Sequence, residues 1–128
     1  MNTLSIVAVA SGGAIGATLR FIINHLVNKH FIHAIPLGTL TVNLLGSLLI
    51  GILFAYFHLN TSLSPYLRTF MITGILGALT TYSTFAMESF FLLESGQYIR
   101  AFASMALNLF GTIFMAGLGY LLLLQISK

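Results

Sequence analysis

Polar side chains recur every four residues within two long apolar stretches of the sequence. The positions are, in chain order, Thr39, Asn43, Ser47, Ser104, Asn108 and Thr112. Residues four apart lie on one face of an α-helix, so each set of three forms a single stripe. Such a stripe serves either as hydrogen-bonding contact between helices or as a lane of neutral groups along which a solute moves. The spacing leaves both interpretations open.

A third apolar stretch, from Thr69 to Met87, concentrates glycine and hydroxyl residues near its middle. Gly74 and Gly77 are followed by hydroxyl side chains at 80, 81, 83 and 84. Glycine and β-branched threonine both weaken an α-helix, so the pattern predicts a broken helix. If the stretch lies in a membrane, freed backbone must be buried in protein or line a cavity, where its carbonyls can hold a cation. The alternative is a continuous helix whose Ser and Thr side chains bond back to the preceding turn.

Charged and aromatic residues near these stripes each have two interpretations. Arg20 and Glu88 are either interfacial side chains that reach toward water or functional groups. Tyr82 and Phe85 are three residues apart, and their positive ring edges could face an anion or simply pack in a core. The middle of each apolar stretch lacks Lys, Arg, Asp and Glu. This absence favours passive permeation over proton-coupled exchange, which normally needs an intramembrane carboxylate or histidine.

The amino-acid composition indicates the class of protein that contains these residues. The chain has 128 residues, of which 58% are hydrophobic and 5% are charged, whereas a soluble domain averages about 25% charged residues. So few charges cannot solvate a soluble fold. The net charge of +3 comes from scattered side chains that form no basic patch, so nucleic acid is not an expected partner. With no cysteine, disulfide frameworks and cysteine metal sites are excluded. An integral membrane protein remains.

Four apolar runs are long enough for membrane-spanning helices, which need about 20 residues each. They predict an all-α membrane protein with one transmembrane domain over 1–128. The expected helices are approximately 4–27, 37–57, 67–93 and 98–126. The first has no basic residue before it and runs past any plausible cleavage point, so we expect it to be retained rather than removed as a signal peptide. Gly12 and Gly16 within it predict close contact with another helix.

Basic residues give almost no preference for either orientation in the membrane. The first face carries the N-terminus, the connection between the second and third helices, and the C-terminus, with Arg68 and Lys128. The second face carries the other two connections, with Lys29 and Arg100. Lys and Arg near helix ends normally orient a membrane protein. The balance therefore indicates either a weak signal that other features override or dual topology, in which copies insert both ways and pair antiparallel.

The chain resembles the CrcB/Fluc fluoride channel family over its whole length. The resemblance is carried by residues 12–17 with Arg20, by residues 38–46 and, most specifically, by residues 74–85. These segments occur in order and at the right spacing. The resemblance implies an antiparallel, dual-topology homodimer in the lipid bilayer with two fluoride pores. It also implies passive fluoride efflux across a bacterial plasma membrane.

The resemblance further implies roles for individual residues. The carbonyls of Gly77 and Thr80 from both subunits would hold a structural Na⁺ at the break in the third helix. Asn43, Phe85 and the side chain at position 82 would line the pore. The arginine of the first segment, Arg20, would lie near the entrance, Glu88 matches an acidic residue after the third segment, and the fourth helix would supply a polar track. The track candidates are Ser104, Asn108 and Thr112, with Thr39, Ser83 and Thr84 as further polar candidates.

Two residues depart from the family pattern. Position 82 is usually Phe and is Tyr82 here, so its hydroxyl could donate to fluoride or occupy space that the ion needs. Asn108 stands where a hydroxyl or another polar residue is expected.

Two alternative functions remain. A small dual-topology multidrug exporter needs a carboxylate in the first helix, where this chain has only Arg20. A non-conducting membrane scaffold would use the stripes only as helix contacts. An enzyme is not expected, because no nucleophile–base pair is present.

Overall fold

The computed structural model describes residues 2–31 and 35–128 and is built from helices. Four helical segments are long and apolar enough to cross a membrane: α1 (Thr3–His30), α2 (Leu37–Leu59), α3 (Pro65–Glu94) and α4 (Tyr98–Ile126). They confirm the prediction of an all-α protein with four membrane-spanning helices. The observed ends lie at or within three residues of the predicted ones.

Local hydrogen bonds explain where the helices begin and end. Asn2 caps α1, because its Oδ1 accepts from the Ser5 N–H at 3.0 Å. Ser64 caps α3 in the same way, and Pro65 occupies the first helical position, where its missing N–H is not needed. The turn between α3 and α4 uses Gly96, whose φ of 75° is readily adopted only by glycine. These signals keep the connections short.

The bundle consists of two closely packed helix pairs. α1 packs on the first half of α3, and α2 packs on α4. A side chain at Gly16 would overlap the Ile75 carbonyl, and one at Gly12 would overlap the Phe70 carbonyl. Gly51 and Gly119 play the same part between α2 and α4. The close helix contact predicted for Gly12 and Gly16 is therefore confirmed, with α3 as the partner.

The backbone of α3 is irregular. It has π-helical hydrogen bonding over Thr69–Leu76, returns to α-helix over Gly77–Leu79 and is extended at the next two residues. Thr80 has φ −79° and ψ 156°, and Thr81 has φ −148° and ψ 117°. An α-helix then resumes over Tyr82–Glu94. The non-helical residues lie near the middle of α3, so their backbone groups need partners that a helix would have supplied.

The interior of the bundle is as polar as it is apolar. A small apolar cluster is formed by Val42, Leu76 and Leu79. The buried polar side chains are those of Thr39, Asn43, Thr81, Ser89, Ser104 and Asn108. Large apolar side chains, by contrast, are mostly exposed on the outside of all four helices, as a protein surrounded by hydrocarbon requires. The polar interior is therefore where a functional site must be sought.

Candidate functional site

Asn43 of α2 supplies the partners that the interrupted backbone of α3 has lost. Its Oδ1 accepts from the Thr81 N–H at 2.8 Å, and its Nδ2 donates to the Thr81 carbonyl at 3.1 Å. Both residues are buried, with exposed fractions of 8% for Asn43 and 6% for Thr81. One amide side chain thus satisfies both backbone groups of one extended residue. This pairing holds the non-helical segment in place between α2 and α4.

The same amide fixes the orientation of Asn108 on α4. The Thr81 N–H can only donate, so the Asn43 atom that faces it must be oxygen. Asn43 Nδ2 therefore points away, and it donates to Asn108 Oδ1 at 2.9 Å. Asn108 Nδ2 in turn donates to the Ser104 carbonyl at 3.0 Å. Both Asn43 hydrogens are committed, whereas Asn108 Nδ2 has a second hydrogen without an assigned acceptor among the described residues.

A cavity of about 550 Å³ opens beside this pair of amides. Residues from α2, α3 and α4 line it. The sequence-predicted site residues that it brings together are Asn43, Gly77, Thr80, Tyr82, Phe85, Asn108 and Thr112. Within the described part of the chain, no charged side chain lines this cavity. It therefore offers a guest neutral amide and hydroxyl groups, peptide groups and aromatic rings.

Two aromatic rings form one wall of the cavity. The rings of Tyr82 and Phe85 meet edge to face, with centroids 5.5 Å apart and an interplanar angle of 71°. In this geometry the positive edge of one ring points at the negative face of the other. Tyr82 is 81% exposed, whereas Phe85 is partly buried. On this side, the chain covers the ring of Phe85 in part and leaves the ring of Tyr82 exposed.

The hydroxyl of Thr112 does not point freely into the cavity. Its Oγ1 donates to the Asn108 and Leu109 carbonyls of its own helix. Thr80 behaves in the same way, because its Oγ1 donates to the Leu76 carbonyl at 3.1 Å. Such back-bonding satisfies the hydroxyl within the helix. These two residues offer the cavity an oxygen acceptor rather than a free donor.

The carbonyl groups at the interruption have unusual partners. The Thr81 N–H lies four residues after Gly77 and would bond its carbonyl in a regular helix, but it donates to Asn43 instead. The Thr80 carbonyl accepts from Arg20 Nη1 of α1 at 3.3 Å. Arg20 is therefore tied to the interruption and does not line the cavity. Among residues 2–31 and 35–128, no group of three His, Cys, Asp or Glu side chains could hold a metal ion.

A second polar contact lies closer to the second face. Thr39 Oγ1 of α2 donates to Glu88 Oε1 of α3 at 2.8 Å. Thr39 is 3% exposed and Glu88 is partly buried. Ser104 of α4 is also buried, at 2%. None of these three lines the central cavity, so the structure separates the predicted candidates into two layers.

The two remaining candidates lie at the start of the second half of α3. Ser83 and Thr84 are both exposed and lie outside the cavity lining. The Thr84 N–H donates to Thr81 Oγ1 at 3.3 Å, and Thr81 Oγ1 donates to Thr84 Oγ1 at 2.9 Å. Thr81 is thus the N-cap of the resumed helix. Thr84 supports that cap.

Sequence reasoning missed several residues of this site. Thr81 belongs to the predicted hydroxyl-rich segment, but the structure also makes it the partner of Asn43 and the N-cap of the resumed helix. Threonine is a preferred N-cap residue, and this was the available signal. Ser89 is buried at 4%, and a polar residue next to Glu88 in an apolar run was the available signal. Asn24 and Asn28 follow Arg20 at four-residue steps and lie against Gly38. That spacing marks a polar stripe on α1 as well.

Comparison with known proteins identifies the family of the chain. Residues 7–120 match the family model described as CrcB-like protein, Camphor Resistance (CrcB). A Sulfurimonas denitrificans protein named Fluoride-specific ion channel FluC is 52% identical over 120 residues, or 94% of this chain and 93% of the relative. Proteins with the same name from Campylobacter jejuni strain 81-176 and Aquifex aeolicus are 48% identical over 122 residues and 47% identical over 116 residues. They cover 95% and 90% of this chain, and 98% and 93% of their own lengths. The chain belongs to the CrcB family.

Proposed function

We propose that this protein is a fluoride-selective channel that lets fluoride leave the cell passively across the bacterial plasma membrane. The observation that carries the proposal is the central cavity at the interruption of α3. Amide and hydroxyl groups, peptide groups and aromatic rings line it, and among the described residues no charged side chain does. The relatives named as fluoride-specific channels match nearly the whole chain, and they come from bacteria. The protein is a transport protein and not an enzyme.

The chemistry of the cavity suits a small anion. Removing water from a small ion is unfavourable unless close hydrogen-bond donors replace it. Conduction also requires that the ion be able to leave, and a fixed positive charge beside it would hold it too tightly. Asn108 Nδ2 offers a neutral donor, and the edges of Tyr82 and Phe85 offer partial positive charge. Ser104 and Thr112 continue this polar track along α4.

We further propose that the working unit is an antiparallel dual-topology homodimer with two pores. Tyr82 lies near the middle of α3, yet its side chain is 81% exposed. A phenol exposed to hydrocarbon would leave its hydroxyl without a partner, which is unfavourable. Thr73, Gly77 and Ser83 are also exposed on this helix. A second copy of the chain that covers this polar face would shield the Tyr82 hydroxyl from hydrocarbon. The equal numbers of Lys and Arg on the two membrane faces support opposite orientations.

The homodimer would also hold a structural Na⁺ near the interruption of α3. Carbonyl oxygens are suitable ligands for Na⁺, and the unwound backbone of membrane helices supplies them. The Gly77 carbonyl fits this role, because the N–H that would bond it in a helix donates to Asn43. The Thr80 carbonyl fits with its second lone pair, since Arg20 uses the first. The ion would join the two subunits by coordinating carbonyl oxygens from both.

The other candidates have proposed roles on the route to the cavity. Arg20 would attract anions toward the entrance while its Nη1 orients the Thr80 carbonyl. Thr39 and Glu88 would form the polar outlet toward the second face. Ser83 and Thr84 would line the approach to Tyr82 and Phe85 from the exposed side of α3.

Fluoride efflux from liposomes tests the proposed function. Purified protein is reconstituted, and fluoride and chloride release are followed in parallel with ion-selective electrodes. We expect fluoride release to exceed chloride release by orders of magnitude and to be lost in Phe85→Ile. Phe114→Ile is the matched control, because Phe114 is 67% exposed on α4 and lies outside the cavity lining.

Two results would reject the channel, and a third would reject only the cavity as its pore. Fluoride release equal to that of protein-free liposomes would favour the scaffold. Release of an organic cation driven by a pH gradient would favour the multidrug exporter. Equal loss of flux in Phe85→Ile and Phe114→Ile would remove the cavity as the pore.

A further inference from the structure

Ser89 of α3 has a buried hydroxyl that lacks a hydrogen-bond partner within the described part of the chain. The residue is 4% exposed, and its Oγ makes no hydrogen bond with any described residue. Thr41, Thr80 and Thr112 instead donate to a carbonyl of the preceding turn of their own helices. A buried polar group is nearly always paired, so an exception of this kind requires an explanation.

Ser89 and Ser104 lie at similar distances from the turn of the α3–α4 hairpin. The Gln97 N–H donates to the Leu92 carbonyl at 2.8 Å and closes the turn between the two helices. Ser89 lies five residues before the end of Tyr82–Glu94, and Ser104 lies six residues after the start of Tyr98–Ala106. Since both helices rise by about 1.5 Å per residue, the two serines lie at similar depths in the bundle. Ser89 is the one buried residue of its helical segment, and Ser104 is one of two in the facing segment.

A third hydroxyl completes this level of the bundle. Thr39 of α2 bonds Glu88, the residue immediately before Ser89. Thr39, Ser89 and Ser104 thus form a hydroxyl layer, contributed by three different helices, in which each side chain is at most 4% exposed. One helical turn deeper, the same faces of α2 and α4 carry Asn43 and Asn108. The layer therefore continues the polar interior from the central cavity toward the second face.

Within this layer, the Ser89 proton is not committed to any described residue. The Thr39 proton is committed to Glu88 Oε1, which also keeps that carboxylate on the α2 side. Adjacent residues on a helix point about 100° apart, so Ser89 does not share the direction of Glu88. Ser89 Oγ can therefore donate to a guest without competing with an existing hydrogen bond.

We infer that Ser89 is a fluoride-binding residue in a second dehydrated step of the pore, between the central cavity and the outlet at Glu88. This inference rests on the proposed fluoride channel and adds to it a site that the motif residues do not include. A small anion that leaves Asn108 would next accept a hydrogen bond from Ser89, with Ser104 beside it. The Ser89 hydroxyl, which has no partner among the described residues, would then donate to the permeating ion.

Ser89→Ala separates this role from a structural one. Because the variant removes a buried hydroxyl that has no partner, its melting temperature in detergent should equal or exceed that of the wild type. Fluoride flux should nevertheless fall roughly three- to tenfold, the value of one neutral hydrogen bond. Ser127→Ala is the control, because Ser127 is exposed at the end of α4 and its hydroxyl bonds only the Leu123 carbonyl. Its flux should be unchanged.

The outcomes distinguish this inference from the proposed function. If the wild type conducts fluoride and Ser89→Ala conducts equally well, Ser89 is not in the pore and the channel proposal stands. If flux and melting temperature fall together, Ser89 is a structural residue and the inference is wrong. If the wild type does not conduct fluoride, the channel proposal fails and this inference fails with it.

Discussion

Replacing Asn43 with alanine removes the side chain that pairs with the interrupted backbone of α3. The Thr81 N–H loses its acceptor at 2.8 Å and the Thr81 carbonyl loses its donor at 3.1 Å. Asn108 Oδ1 loses the donor at 2.9 Å as well. Thr81 is buried, so its backbone groups cannot simply turn to bulk solvent. Asn43→Ala therefore tests whether this side chain determines the local conformation.

The size of the effect follows from the number of unpaired groups. Leaving one buried donor or acceptor unpaired costs about 1–3 kcal/mol, so the two backbone groups of Thr81 set a range of roughly 2–6 kcal/mol. Thr81 also lines the central cavity, where water can replace some of the lost hydrogen bonds. We therefore expect destabilisation near the lower end, about 2–3 kcal/mol, against a total stability of about 5–15 kcal/mol for an ordinary domain.

Two measurements check this prediction. Thermal unfolding in detergent should show the loss of stability, and hydrogen exchange should be faster at the Thr81 amide than in the wild type. Asn60→Ala is the matched control, because Asn60 is exposed and its Nδ2 donates to the Tyr56 carbonyl at 2.9 Å. Wild-type exchange at Thr81 in Asn43→Ala would refute the reasoning. Equal destabilisation by the two alanine variants would do the same.

Asn43→Asp extends the test with a side chain of the same shape. One aspartate oxygen can still accept from the Thr81 N–H, but the other would face the Thr81 carbonyl, which is also an acceptor. The variant also adds a negative charge to a cavity that has none among the described side chains. We expect Asn43→Asp to abolish fluoride flux and to reduce it more than Asn43→Ala does. Flux equal to that of the wild type would show that donor orientation at this position does not matter.

Substitutions at three further positions test other parts of the structure. Gly16→Val should weaken the α1–α3 contact by about 2 kcal/mol or more, because its Cβ would overlap the Ile75 carbonyl; an unchanged melting temperature would contradict this packing. Tyr82→Phe keeps the edge-to-face contact with Phe85 and removes an unpaired hydroxyl, so fluoride flux should be maintained or increased; a large loss would make that hydroxyl an anion donor. Glu88→Gln retains an acceptor for Thr39, whereas Glu88→Ala leaves that buried hydroxyl unpaired and should cost about 1–3 kcal/mol; equal melting temperatures would exclude this contact as a source of stability.

Local patterns in the sequence were sufficient for the helices and for part of the site. The lengths of the apolar runs predicted the four membrane-spanning helices, because a helix that crosses a membrane needs a minimum number of apolar residues. The four-residue spacing placed Asn43 and Asn108 on inward faces of α2 and α4, and both are buried. Polar side chains in hydrocarbon turn toward protein, so their spacing reveals the buried face.

Contacts between distant segments could not be predicted in the same way. Thr81 lies 38 residues from Asn43, and their pairing depends on how α2 and α3 pack. The isolation of the Ser89 hydroxyl depends on the register of the α3–α4 hairpin, which the spacing within either helix does not contain. The high exposure of Tyr82 is a property of one chain and changes if a second copy covers it. Each of these features is decided by packing between elements and not by helical periodicity.

The interruption of α3 links stability to ion selectivity. An extended residue in the middle of a membrane helix leaves an N–H and a carbonyl that must be paired, and here one amide on α2 pairs both. Because the Thr81 N–H can only donate, that amide must turn its nitrogen toward α4, and Asn108 must accept with its oxygen. The Asn108 nitrogen is then left to donate. A continuous helix at Thr81 would impose no such direction, and the amides could present oxygen or nitrogen to a guest. Under the proposed function, the backbone break thus turns one amide donor, that of Asn108, toward a guest, and an anion can accept from it.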